Sequence, residues 1–193
     1  MLTLSTRNQI IIAALLTFLM ILTRSHHFAS VHHLADASWA IFFLAGIYLR
    51  SGWLLAAFFA LSWGLDFAAY TWGGVSGFCL TPAYVFLLPA YGSLWLAGRW
   101  FAKRYQPSWR AVAPLAVGGI TGLVLCELFS SGGFYFFSGR FTETTVSEFG
   151  GRLMTYFPLY AETFIFYLGI AAGLHVMFAY LAAQVDRRGS FTH

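Results

Sequence analysis

A chain of 193 residues that is 59% hydrophobic, 20% aromatic and 9% charged carries more apolar surface than a soluble domain of its size can bury. Lipid is therefore the expected solvent, and the expected fold is one all-α integral membrane domain over residues 1–193. The net charge of +4 points to no nucleic-acid partner and reads instead as membrane topology.

In chain order, six apolar runs are predicted as transmembrane helices at about 8–23, 34–50, 52–72, 80–101, 111–131 and 156–183. The first has Arg7 ahead of it and Ala29-Ser30 behind, the outline of a secretory leader; in a chain read from Met1 it is expected to be retained as a helix. The second is short. Pro89, Pro114, Gly118, Gly119, Gly169 and Gly173 fall inside the later runs, where neighbouring helices can cover the backbone groups they free. No repeat, low-complexity tract or soluble linker interrupts the series.

Six crossings would bring the two termini to one side. Assigned alternately, that side holds Arg7, Arg50, Arg99, Lys103, Arg104, Arg110, Arg187 and Arg188, and the other holds Arg24, Arg140 and Arg152. The excess predicts cytoplasmic termini. Facing outward are then the histidines His26, His27, His32 and His33, a glycine-rich break from Gly73 to Pro82, and an aromatic loop from Gly132 to Tyr156.

Ionisable groups at membrane depth are costly and so are functional candidates. Asp66 falls roughly 21 Å along the third helix and Glu127 about 24 Å along the fifth. Glu162 falls one to two turns into the sixth. Their bland reading is interhelical hydrogen bonding; together they predict a polar cavity open to the outside. His175, alone in the other half of the sixth helix, reads as a packing or hydrogen-bonding histidine. Aromatic residues crowd the same level: Tyr70, Trp72, Phe78 and Tyr84, then Phe134 to Phe137, then Tyr156, Phe157 and Tyr160. They serve either as an interfacial belt or as stacking faces for a large flat ligand.

Within the glycine-rich break, Cys79 stands just before Pro82, a residue suited to the first turn of a helix. A helix N-terminus favours the thiolate form, and a thiolate ligates soft metals. Alternatively, Cys79 and Cys126, both near the outer face, form a disulfide in an oxidising compartment.

Gly-Phe-Cys-Leu-Thr-Pro-Ala-Tyr from Gly77 to Tyr84, with Asp66 and the His26-His27 pair, resembles the BtuM family in a chain of matching size and topology. These are solitary S components, related to energy-coupling-factor (ECF) transporters, that take up cobalamin (vitamin B12). The resemblance implies that the Cys79 thiolate ligates the cobalt of cobalamin and assists decyanation of cyanocobalamin. It also implies a corrinoid site walled by Asp66, Phe78, Tyr84 and Arg152, with His27 at the rim. Arg152 has four readings: supplying positive charge that favours the Cys79 thiolate, holding Asp66, bonding corrin amides, or lying solvated in a loop.

The chain has no Gly-x-x-x-x-Gly-Lys-Ser/Thr loop, so any ATP hydrolysis belongs to a partner. Related S components use a coupling protein with two ATPases, docked through small residues of the first helix. Here Ala13 and Thr17 match that pattern in part. From a different class, the four histidines suggest a haem- or transition-metal-binding redox protein. Hydrolase motifs such as Gly-x-Ser-x-Gly and His-Glu-x-x-His are absent.

Overall fold

A computed structural model describes residues 4–24, 35–74, 77 and 81–189. Among them the chain is all helical: α1 Thr6–Arg24, α2 Ser38–Tyr48, α3 Trp53–Trp72, α4 Leu87–Arg104, α5 Val112–Phe137 and α6 Val146–Gly189. Short 3-10 turns, Pro82–Phe86 and Trp109–Ala111, lead into α4 and α5. Four stretches are long and apolar enough to cross a membrane: Thr6–Arg24, Trp53–Trp72, Trp109–Phe137 and Val146–Leu181. Their outer faces present Leu15, Phe18, Ile120, Val124, Ile165 and Phe178 to the surroundings. That is the reverse of a water-soluble surface. The chain is a helical membrane protein.

The bundle is built around its shortest helix. Nine of the eleven residues of α2 are buried, Ile41, Phe42 and Phe43 completely. A helix apolar on every side belongs in the middle of a bundle. Phe42 stacks on Tyr91 of α4, ring centres 4.2 Å apart, and Phe43 meets Phe164 of α6 edge-on at 5.3 Å. Glycine lets α2 and α4 touch backbone to backbone. A Cβ on Gly98 would overlap the Phe43 carbonyl, and one on Gly46 would overlap the Trp95 carbonyl.

Hydrogen bonds between helix ends define two poles. At one, Arg24 at the end of α1 reaches Ser38 at the start of α2, Asp66 near the end of α3 and Tyr91 early in α4. At the other, Gln9 of α1 bonds Arg50 after α2, and Arg99 of α4 donates to the Arg50 carbonyl. His175 of α6 there sits between two phenols, Tyr48 at 3.2 Å from Nδ1 and Tyr105 at 2.8 Å from Nε2. It is the hydrogen-bonding histidine expected. Successive helices thus run in opposite directions. The helix ends bearing Arg7, Arg50, Arg99, Lys103, Arg104 and Arg110 share the second pole, and Arg24, Arg140 and Arg152 share the first.

The predicted loop from Gly132 to Tyr156 is mostly helix. α5 continues to Phe137 because Gly132 and Gly133 are not breaks but spaces, Gly133 packed against the Phe86 ring and Gly132 against Phe149. The chain then turns at Gly139, whose φ of 69° suits glycine. α6 starts at Val146, where the Thr145 hydroxyl accepts the Glu148 amide at 3.2 Å. Thr-x-x-Glu is the spacing of a helix-capping pair. At the other correction, α4 starts at Leu87 rather than near Leu80. Thr81 is extended, as a residue before proline prefers, and Pro82 opens the 3-10 turn instead.

Candidate functional site

At the first pole the helix ends enclose a cavity of about 570 Å³, a volume typical of small-molecule sites. Its polar wall starts from Arg24. The guanidinium grips Asp66 with two bonds, Nε to Oδ1 and Nη2 to Oδ2, each 2.7 Å. Nη1 donates to Ser38 Oγ at 2.7 Å and Tyr91 Oη at 3.0 Å, with Asp36 3.8 Å away. The Tyr84 phenol donates to the same Asp66 Oδ2 at 2.7 Å. Four helices and the 3-10 turn are therefore joined through one planar cation, whose fork matches a carboxylate.

A stripe on α6 forms the opposite wall. Arg152, Tyr156 and Tyr160 recur every four residues and so lie on one helix face, and all three line the cavity. Tyr160 stacks on Trp39 of α2 at 5.0 Å. Arg152 is aimed by Glu148, with Nη2 3.1 Å from Oε1, and lies over Phe141 at 4.5 Å and Tyr135 at 5.4 Å. Tyr135 in turn donates to Glu148 Oε2 at 3.0 Å. Glu127, Ser130 and Ser131 of α5 complete the polar lining, and Phe134 and Phe149 add aromatic surface.

Several sequence expectations meet here and others do not. Asp66, Tyr84 and Arg152 all line the cavity. Arg152, however, does not hold Asp66; Arg24 does, and Arg152 pairs with Glu148. Of the three carboxylates, Asp66 and Glu127 face the cavity but Glu162 is exposed on the outside. Two residues beyond Tyr160, it is turned some 200° around α6. Tyr70 and Trp72 are exposed, Phe157 packs on the core, and Phe137 stacks on Phe86. Cys126 is a free thiol, fully buried on α5. Ala13 packs toward the core.

Cys79, Phe78 and His27 lie outside the described residues, as do His26, His32 and His33. On either side of Cys79 the described chain is tied down. The Gly77 carbonyl accepts Arg140 Nη2 at 3.2 Å, and the Tyr84 amide closes on the Thr81 carbonyl at 2.9 Å. Because α4 begins only at Leu87, the strong helix-end field expected beside Cys79 starts farther along the chain.

Arg24, Asp36, Trp39, Tyr91, Phe141 and Phe149 were not anticipated as site residues. For Arg24 a signal existed: an arginine ending one apolar run and an aspartate late in another are natural partners in a membrane. Phe149 follows from the Thr-x-x-Glu cap once α6 is started at Val146. No protein-family model matches the chain, and no curated protein matches it.

Proposed function

We propose that this protein binds cobalamin in the first-pole cavity and carries it across a bacterial inner membrane. The observation that supports this reading best is the convergence of Asp66, Tyr84 and Arg152 on one aromatic-walled cavity, with Cys79 five residues before Tyr84 in the sequence. In this reading the chain crosses the bilayer six times, the short α2 doing so inside the bundle where other helices cover its flanking backbone, the termini are cytoplasmic, and the basic pole faces the cytoplasm. The protein acts alone or with a coupling protein and its ATPases.

A corrin fixes the four equatorial positions of its cobalt, so only axial positions are left for protein. The Cys79 thiolate takes the lower one. Its electron donation weakens the bond to the opposite ligand. Cyanide then leaves with the bonding electron pair, and cobalt keeps its oxidation state. Stacking faces of Trp39 and Tyr160 suit the macrocycle, and Arg152 offers donors to its peripheral carbonyls. His27 and Phe78 complete the rim and wall.

The test is a visible spectrum of the purified protein with cyanocobalamin, wild type beside Cys79→Ala. Cobalt–thiolate ligation shifts the wild-type spectrum from that of free cobalamin, and the shift disappears in the variant. Identical spectra from the two proteins would refute ligation by Cys79.

A further inference from the structure

Glu127 is the carboxyl of the cavity lining that the network around Arg24 leaves out. The residue is 2% exposed, lies on α5, and lines the cavity together with Ser130 and Ser131. Oε1 accepts the Ser131 hydroxyl at 2.7 Å, whereas Oε2 is buried and has no hydrogen-bond partner among the described residues. Neither guanidinium of the cavity compensates it. Arg24 is committed to Asp66 and Asp36, and Arg152 to Glu148. A buried carboxyl oxygen without a partner costs stability of a kind that proteins satisfy almost everywhere. At the wall of a ligand cavity, the missing partner is most simply the ligand.

We propose that the Glu127 carboxyl, set by Ser131, is the subsite for a primary carboxamide of the bound molecule. This rests on the corrinoid reading, since a corrin rim carries such amides. A carboxamide suits the position because it offers N–H donors and a carbonyl on one planar group. It therefore pairs with Glu127 whether the acid is ionised or not, and brings no charge into the cavity. An ester at the same place has no N–H to give. Glu127 thereby selects amide-bearing corrinoids over their esters.

Binding of dicyanocobinamide and of a cobyrinate heptamethyl ester to the full-length protein tests this. Wild type should prefer the amide corrinoid. Glu127→Leu should weaken the amide corrinoid about tenfold or more, the effect of losing a bond to a charged or buried acceptor, and leave the ester unchanged. Glu127→Gln, which keeps an acceptor, should retain the preference. Glu127→Met serves in place of the leucine variant if that fails to fold. Equal weakening of both ligands, or no change for either, overturns the subsite and leaves the corrinoid reading standing. Wild type binding neither ligand overturns both.

Discussion

Arg24 makes five polar contacts from a side chain that is 9% exposed, and two of its partners are carboxylates. Removing it strands Asp66 against the Tyr84 hydroxyl with no cation. Arg24→Met should cost about 3 kcal/mol, in the range for breaking one half of a buried ion pair, and lower the thermal unfolding temperature in detergent. Asp66→Asn should be milder, because an amide oxygen still accepts from Arg24 and Tyr84. Equal unfolding temperatures for Arg24→Met and wild type would show that the pair is a surface contact. At this scale the sequence was informative about charged residues and silent about their pairing. Asp66 and Glu127 stand out as acids inside apolar runs, but Arg24 sits at the edge of its run, where an arginine ordinarily meets headgroups. Only the packed bundle distinguishes Arg24 from Arg152 as the partner of Asp66.

The helices owe their closeness to missing side chains. Gly98 of α4 lies on the Phe43 carbonyl of α2, so the added methyl of Gly98→Ala has no flexible neighbour to displace. The two helices must separate, with a loss of about 1–3 kcal/mol typical of overpacking. A lowered unfolding temperature with no change in the α4 surface away from α2 is the expected result. Gly92→Ala is the control, since nothing lies near its Cβ position. Helix existence was legible from apolar runs, because burial in lipid needs little more than composition and length. Helix ends were not. Gly132 and Gly133 look like punctuation until Phe86 and Phe149 are seen to fill the space above them. The cap at Thr145 and Glu148 was written in the chain but masked by the aromatic run before it.

Across the described residues, alternating helix directions sort most of the basic residues to one pole and the cavity to the other. Cysteines introduced in a Cys79→Ala background, where the remaining Cys126 is buried, test the proposed orientation. In intact cells, Glu143→Cys in the link between α5 and α6 should react with a membrane-impermeant maleimide added outside. Gln106→Cys between α4 and α5 should react only after lysis. The opposite pattern would invert the protein and turn the cavity toward the cytoplasm. The aromatic cavity itself was legible as a crowd of rings near one membrane face. Which rings belong to it was not, because Tyr156 and Tyr160 differ from Phe157 and Glu162 only in helical phase.

Each guanidinium on the cavity wall has its own carboxylate within a few ångströms, Arg24 with Asp66 and Arg152 with Glu148. Paired charges cast short fields: beyond a Debye length of roughly 8 Å at physiological ionic strength, little of either pair reaches solution. A molecule approaching the mouth is therefore not drawn in from afar by these residues, as an anion is by an open basic funnel. In the proposed function, capture happens on contact, through ring faces and hydrogen bonds, and its rate is set by how often the ligand collides with the mouth.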